Sequence, residues 1–313
     1  MRERPRKGDR KRFFSDTPSC PHEGSGRVPE RGSPIVRRLR LGQELRFLRE
    51  RRNLTGAGAA KRLGWSPSKV SRIESSKTKP RAEDVTAMAD LFEVDADKKR
   101  ELLGLLRDAE QRGWWEDYEG HLPGEYTRLL GLEAEAVAQR DWEPQLVPGL
   151  LQTEDYAREV ILATRGISRI THSGVRSRVE ARLDRQKRVL FRADPPMIHM
   201  VIDESALLRR FGDASVMREQ MDHLLEMTAI PHVSVRVLTL DSVHPVGTGA
   251  FIHLKFAAFD DVVYLESLYS ARFVEDLELV AGYEMAFDQI SSMALDEDES
   301  RSLIRRVAMQ WRR

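Results

Sequence analysis

Residues 54–80, LTGAGAAKRLGWSPSKVSRIESSKTKP, decide the fold of the first part of the chain. They predict two short helices joined by a tight turn. Thr55 is suited to cap the first helix and Ser66 the second, because a hydroxyl oxygen can accept an otherwise unpaired backbone N–H. Gly64 lies where the first helix must end, a position that often needs positive φ. Pro67 fits the first turn of the second helix, where its missing N–H costs nothing.

The second of these helices has an apolar underside and a polar outer face. Val70 and Ile73 are three residues apart and are predicted to point inward. The side chains left facing outward are hydroxylated or basic: Ser68, Lys69, Ser71 and Arg72. A helix of this kind fits the major groove of DNA. The alternative is an ordinary pair of core helices, but the caps, the turn, the polarity and the flanking lysines together argue against it.

Charge is distributed unevenly along the chain. The whole sequence carries 51 Lys and Arg against 50 Asp and Glu, but residues 1–82 hold 23 basic and 8 acidic residues. The remainder holds 28 basic and 42 acidic residues. A basic segment that coincides with the helix pair indicates a nucleic-acid-binding part, whereas a basic run alone would indicate only a solvated surface. Its binding to DNA should weaken as salt rises, because contacts to phosphate release counterions.

The order of these parts resembles the lambda-repressor-like, or XRE-type, helix-turn-helix domain. The resemblance is carried by LGQEL at 41–45, Thr55, AKRLG at 60–64, SPSKVSRIE at 66–74, Lys77, Lys79 and Pro80. A fourth helix follows with one apolar face, formed by Val85, Met88, Ala89 and Phe92. Two positions differ from the common pattern of the family. Gly56 stands where a glutamine often follows the capping threonine, and Ser76 stands where a glycine often follows the recognition helix.

The outward face and the resemblance together predict the DNA contacts. Pro67, Ser68 and Arg72 should lie near base edges, and Arg72 is best suited to a bidentate contact with guanine. Phosphates should be held by lysines and by the start of the first helix, which position the protein without reading sequence. The full predicted set is Thr55, Ser66, Pro67, Ser68, Lys69, Ser71, Arg72, Lys77 and Lys79.

The remaining composition fits a soluble cytoplasmic protein. Cys20 is the only cysteine, which excludes an internal disulfide and fits a reducing compartment. No stretch approaches the roughly 20 apolar residues that cross a bilayer. The first residues, MRERPRKGDRKRFF, are basic but lack the apolar core of a secretion signal. We therefore expect cytoplasmic localisation and no membrane partner.

At 313 residues the chain is long enough for two domains. Residues 1–34 are rich in Arg, Pro, Gly and Ser and are predicted to be a disordered basic arm. This arm could follow the DNA backbone, be an inert extension or reflect a start codon assigned too far upstream, and we favour the inert interpretation. Residues 35–112 are predicted to form the DNA-binding domain, 113–125 a linker and 126–313 a second domain. The linker tryptophans should pack against that second domain.

The second domain is predicted to mix helices and strands. Helices are expected at 126–140, 153–164, 173–192, 214–229, 275–293 and 297–313. Strands are expected at 196–202, 233–240, 249–256 and 262–268, and an ordered loop at 142–152. Asp203 and Glu204 are interpreted as helix-capping residues, and acid/base chemistry is the less favoured alternative. The predicted fold class is a mostly α, five-helix N-terminal domain followed by an α+β domain with a small sheet.

This second domain resembles a domain of uncharacterised biochemistry that follows XRE-type domains in many actinobacterial regulators. The resemblance rests on WEP at 142–144, VPGLLQTEDYA at 147–157, DESAL at 203–207, MREQ at 217–220, PHVSV at 231–235, GAF at 249–251, VVYLE at 262–266 and ESRSLIR at 299–305. It implies an antitoxin-like transcriptional regulator, commonly encoded beside a very small partner protein.

No pattern for catalysis or for a cofactor competes with this interpretation. The eight histidines lack metal-ligand spacing. GTG at 247–249 lacks the third glycine of a dinucleotide-binding motif, and no Gly-x-Ser-x-Gly string occurs. We expect no enzymatic activity, no metal and no cofactor.

The sequence therefore predicts a transcriptional regulator that binds a double-stranded DNA operator as a homodimer and controls its own operon together with a small partner protein. The alternative is a protein-interaction module that sequesters the small protein encoded next door, with DNA binding secondary.

Overall fold

The computed structural model describes residues 33–118, 120–168, 170–268 and 270–312. The predicted basic arm therefore lies outside the described residues, except for its last two. Ser33 precedes the first helix and Pro34 begins it. A proline at this position loses no hydrogen bond, because the first N–H groups of a helix have no partner within it.

Five helices form the N-terminal region, as predicted. They are α1 (Pro34–Arg51), α2 (Gly56–Leu63), α3 (Pro67–Glu74), α4 (Ala82–Leu91) and α5 (Ala96–Asp108). Their apolar sides meet in one core that includes Leu45, Val70, Val85, Phe92 and Leu102. Helices as short as α2 and α3 are marginal on their own, so this shared core stabilises them more than helix propensity does.

The second domain is α+β, as predicted. Its helices are α6 (Gly124–Glu133), α7 (Glu154–Ala163), α8 (Arg165–Ser168), α9 (His172–Leu190), α10 (Glu204–Leu208), α11 (Ala214–Met227), α12 (Leu277–Met293) and α13 (Glu297–Gln310). Its strands are β1 (Ala138–Glu143), β2 (Met197–Asp203), β3 (Val233–Leu238), β4 (Phe251–Lys255), β5 (Val262–Glu266) and β6 (Ala271–Val274). Among the helices that the structure describes, none is long and apolar enough to span a membrane.

The six strands form one mixed sheet in the order β3-β2-β1-β4-β5-β6. Strands β1, β2 and β3 are parallel, whereas β4, β5 and β6 are antiparallel to their neighbours. Asp141 on β1 lies opposite Met200 on β2 and opposite Ile252 on β4. β1 is therefore the strand at which the parallel and antiparallel halves of the sheet meet.

The predicted helix over residues 126–140 is wrong in its second half. α6 ends at Glu133, and residues 138–143 form β1, so the predicted loop at 142–152 also begins as a strand. The alternating residues of β1 on one side are Gln139, Asp141 and Glu143, which give no apolar strand pattern. Pairing with two neighbouring strands outweighs that local signal. β6 was also missed, because a strand of four residues is too short to show periodicity.

Helices cover both faces of the sheet. On one face α12 packs against β3, β4 and β5, and its Phe287 lies in one buried cluster with Trp142 and Phe251. On the other face α11 and α13 cover β2 and β3, where Met221 packs in one cluster with Met200. The predicted role of Asp203 is confirmed, since its Oδ1 accepts a hydrogen bond of 2.9 Å from the N–H of Ser205 at the start of α10.

α1 contributes to the cores of both domains. Ile35 and Leu39, near its start, pack in one buried cluster with Trp115, Tyr126 and Leu254. The predicted packing of the linker tryptophans against the second domain is thus confirmed for Trp115. The contact is apolar and buried, so it holds the helical region against the sheet of the second domain.

Candidate nucleic-acid interface

The turn between α2 and α3 forms as the sequence predicts. The Oγ1 atom of Thr55 accepts a hydrogen bond of 3.0 Å, and the Oγ atom of Ser66 one of 3.3 Å, each from the backbone N–H three residues later. Gly64 ends α2 with a φ of +68°, which a residue with a Cβ rarely adopts. Pro67 begins α3. Both helix starts and the turn therefore follow from contacts local to this segment.

α3 buries one side and exposes the other. Val70 and Ile73 are 0% and 3% exposed and belong to the core that α2 shares. The exposed side chains of α3 include Pro67, Ser68, Ser71 and Arg72. Among the described residues, no hydrogen-bond or ion-pair partner is present for the guanidinium of Arg72. Its donors are thus available to a ligand outside the chain.

Lys69 is held by its own domain. Its Nζ lies 2.5 Å from Oδ1 of Asp84, at the start of α4, and 3.8 Å from the centroid of the Trp65 ring. Burial opposes ionisation of Asp84, but the hydrogen bonds from Lys69 and from the backbone N–H of Arg81 outweigh it, so the pKa of Asp84 is lowered. Lys69 is thus placed between α3 and α4 instead of extending freely from the predicted surface.

The two lysines after α3 differ from each other. Lys77 is exposed, and no ion pair forms to it within the part of the chain that the structure describes. The Nζ of Lys79 lies 3.4 Å from a carboxylate oxygen of Glu110, and both side chains are about half exposed. An exposed pair of this kind contributes about 0–1 kcal/mol, so it is easily exchanged for a phosphate.

α1 passes very close to the end of α3. A Cβ on Gly42 would lie 2.5 Å from the carbonyl oxygen of Glu74, so only glycine fits there. Ser76, which follows α3, adopts a φ of +57°. Its Oγ donates a hydrogen bond of 2.9 Å to the carbonyl oxygen of Arg38 on α1. That bond offsets the roughly 1–2 kcal/mol that the left-handed conformation costs a residue other than glycine.

A buried ion pair also joins α1 to α3, and the sequence analysis missed it. The Nε and Nη2 atoms of Arg49 lie 2.7 and 2.9 Å from the two carboxylate oxygens of Glu74, and Nη1 donates to the carbonyl oxygen of Leu54. The hydrogen bonds that Arg49 donates to Glu74 raise the pKa of Arg49. These contacts hold the end of α3 against α1 and against the loop that precedes α2. They position the predicted interface without belonging to it.

A cleft of about 780 Å³ borders this surface. Gly56 at the start of α2 and Ser71 on α3 line one side of it. Asp260, Glu275 and Glu278 of the second domain line the other side. Glu275 is ion-paired with Arg128, so Asp260 and Glu278 are the carboxylates whose charge opposes the approach of DNA to the edge at which the sequence predicts phosphate contacts.

The capped pair α2 and α3, with a left-handed glycine between the helices and a polar exposed side on the second one, defines the class of helix-turn-helix proteins. A family model described as a helix-turn-helix domain matches residues 40–103, which indicates DNA binding and transcriptional regulation. A second model, described as a domain of unknown function (DUF5753), matches residues 126–306, more than half of the chain. The chain belongs to the DUF5753 family. Comparisons with curated proteins and with solved structures find no match.

Proposed function

We propose that this protein is a sequence-specific transcriptional regulator whose α3 enters the major groove of its operator. The exposed side of α3 supports this proposal, since Arg72 has no partner among the described residues and its exposed neighbours have small side chains. Small side chains permit a close approach to base edges, and a guanidinium matches the two acceptors of guanine. The predicted contacts of Arg72, Pro67 and Ser68 are retained in this proposal.

Phosphate contacts complete the proposed interface. The exposed Lys77 and the capped start of α2 at Thr55 are suited to this role, because the first N–H groups of a helix point at an anion that lies there. Lys69 and Lys79 would have to leave their carboxylate partners first. We therefore expect them to contribute less to affinity than Lys77.

The proposal is tested by selecting bound sequences from a random duplex pool and measuring affinities for variants of the selected operator. Arg72→Ala should cost about 1–3 kcal/mol and relax the preference at one base pair. Lys77→Ala should weaken binding to all sequences alike and lower the salt dependence. Arg305→Ala, at an exposed position on α13 of the second domain, is the matched control and should change neither. A uniform loss across operators with Arg72→Ala would contradict base contact by this residue.

We propose that the protein acts as a homodimer on a two-fold symmetric operator. Two copies of α3 would then read half-sites centred about 34 Å apart, or a multiple of that distance. A footprint on the selected operator, with the mass of the complex measured in solution, tests this. One unpaired half-site occupied by one chain would contradict it.

We propose, as a second function, that the DUF5753 domain binds a small protein encoded beside this one and that the pair regulates its own operon. The resemblance to antitoxin-like regulators supports this, and so does an exposed apolar side of α12 at Leu277, Ala281 and Met285. Co-expression with the neighbouring gene should yield a complex that Met285→Glu weakens. Met309→Glu, at an exposed position on α13, should leave the complex intact. Equal losses with both variants would contradict a partner surface on α12.

A further inference from the structure

A polar strip runs along the central strand of the sheet. Gln139, Asp141 and Glu143 alternate along β1 and therefore point to the same face. Gln139 and Asp141 are 0% and 2% exposed. Their strand neighbours on this face are apolar, with Met200 on β2 and Ile252 on β4 flanking Asp141. Polar side chains thus occupy the middle of a face whose flanks are hydrophobic core.

Helix α9 supplies arginines to the neighbourhood of this strip. Arg178, Arg182 and Arg185 are spaced so that they lie along one side of the helix. Arg185 is neutralised, because its Nε and Nη2 lie 2.7 and 2.6 Å from the two carboxylate oxygens of Glu133 on α6. Arg182 is used only in part, since its Nη1 donates to Oε1 of Gln152 at 2.6 Å.

Several buried polar atoms in this region have no hydrogen-bond partner among the described residues. They are both amide atoms of Gln139, Oδ1 of Asp141, Nε of Arg182 and the hydroxyl oxygen of Tyr264. Tyr264 lies on β5, opposite Ile252, and so shares the face of the strip. Buried polar groups are nearly always paired, and each unpaired one costs about 1–3 kcal/mol. Four such side chains, on β1, β5 and α9, lie in this region and are suited to bind a polar ligand.

The carboxyl groups determine which ligand charge fits. No cation of the described chain lies within 4.0 Å of the carboxylates of Asp141 or Glu143. Burial and the charge of Glu133 raise the pKa of Asp141 to about 7, against the attraction of Arg185 and of the nearby Gln139 amide. Burial, Asp141 and Glu266 raise the pKa of Glu143 well above its ordinary value, against the attraction of Arg182 and Arg185. A positively charged ligand group would favour the ionised form of both carboxyls.

The strip also has an open end. Glu143 is the last residue of β1 and is only partly buried, while Glu266 ends β5 and is exposed. In open sheets with parallel strands, ligands bind outside the carboxyl ends of the strands, where the direction of the connections changes. Glu143 stands at the carboxyl end of β1.

We propose that the polar strip of β1, together with Arg182 of α9, binds a small organic cation, an amine or guanidine that also carries a hydrogen-bond acceptor. Its cationic group lies between Asp141 and Glu143. Gln139, Tyr264 and Arg182 bind its polar remainder, and Arg182 in particular donates to its acceptor. This site is separate from the DNA interface, and binding to it does not depend on the function proposed for α3.

The probe for this site is ethanolamine, which has an ammonium group and a hydroxyl acceptor and is small enough to fit many pocket shapes. Ethylene glycol is its uncharged control. We expect ethanolamine to raise the melting temperature of the full chain, in the absence of DNA and at matched ionic strength, by about 3 °C when it is in roughly tenfold excess over its Kd. Ethylene glycol should have no such effect.

Variants locate the effect. Asp141→Asn and Glu143→Gln should each abolish the shift, whereas Asp298→Asn, at a side chain that is 92% exposed on α13, should retain it. Should a site variant fail to fold, calorimetry on the wild-type chain near pH 7 decides instead. Ethanolamine should then release protons from the carboxyls, so that the measured heat differs between buffers of different ionisation enthalpy. The proposal is overturned if ethanolamine causes no shift, if ethylene glycol matches it, if the site variants retain it, or if binding releases no proton.

Discussion

The exposed side of α3 and the buried face of β1 both carry polar groups that lack partners among the described residues, but one set is solvated and the other is buried. Arg72 on α3 is solvated, so it costs little until DNA replaces the water around its guanidinium. Gln139 on β1 is 0% exposed, so each of its missing hydrogen bonds costs about 1–3 kcal/mol. Unpaired polar groups are therefore available for binding at little cost on α3, whereas on β1 they destabilise the folded chain. Changes at buried charges should affect stability far more than changes at exposed ones.

The largest effect is expected at the buried ion pair beside the polar strip. Glu133 and Arg185 have side chains that are 0% and 4% exposed. Glu133→Gln leaves the charge of Arg185 buried without a counter-charge, which should lower the free energy of unfolding by about 3–5 kcal/mol. Glu110→Gln, which removes the exposed partner of Lys79, should cost about 0–1 kcal/mol. Denaturant unfolding of both variants measures the contrast, and similar losses would refute it.

The second prediction concerns pH and Asp141. The pKa of Asp141 is about 7 in the folded chain, against an ordinary value of 3.8. Between these two pH values the folded chain keeps the proton of Asp141, whereas the unfolded chain has lost it. The contribution of Asp141 to stability is therefore present below about pH 4, decreases as the pH rises to about 7 and is constant above that. Asp141→Asn removes this titration. Relative to wild type, the variant should gain up to about 4 kcal/mol in unfolding free energy between pH 4 and pH 8.

Melting curves of wild type, Asp141→Asn and Asp298→Asn across this range provide the measurement. Glu143 titrates in the same direction, so a smaller decline should remain in Asp141→Asn. Asp298→Asn should follow wild type, because its side chain is 92% exposed. Parallel curves for wild type and Asp141→Asn would show that burial does not raise the pKa of Asp141.

The third prediction is smaller and concerns the support of α3. Gly42→Ala forces a Cβ to within 2.5 Å of the carbonyl oxygen of Glu74, so α1 and α3 must separate. Overpacking of this kind costs about 1–3 kcal/mol. Gly104→Ala on α5 meets no atom within 4 Å and should stabilise the protein by about 0.5–1 kcal/mol. Equal stabilities for the two variants, measured by denaturant unfolding, would exclude a close contact between α1 and α3.

The same contrast explains which parts of the fold could be predicted from the sequence. The caps at Thr55 and Ser66 and the turn at Gly64 depend on atoms within a few residues, so the sequence alone predicts them. β1 is a strand because β2 and β4 pair with it, and both lie far along the chain. Local patterning therefore favoured a helix up to residue 140, and the central strand of the sheet was missed.

The candidate interface shows the same limit. The exposure of Arg72 follows from helix periodicity alone. The restraint of Lys69 does not, because Asp84 lies 15 residues further along the chain, on another helix. The ion pair between Arg49 and Glu74 joins residues 25 apart and could be proposed only once the packing of α1 on α3 was known. Periodicity identified the surface, but tertiary contacts determine which of its cations are available.

The smallest effect is expected from the carboxylates across the cleft, because solvent screens them. Glu278→Gln removes one negative charge that faces the edge of α2 and α3, so we expect about a twofold gain in affinity for DNA at low salt. Glu219→Gln on α11 changes the net charge equally, and its residue does not line the cleft. The gain should be larger for Glu278→Gln than for Glu219→Gln and should vanish at high salt, where the Debye length falls to about 3 Å. Equal gains for both variants would mean that only net charge matters. A difference that persisted at high salt would mean that Glu278 obstructs DNA by contact instead of by charge.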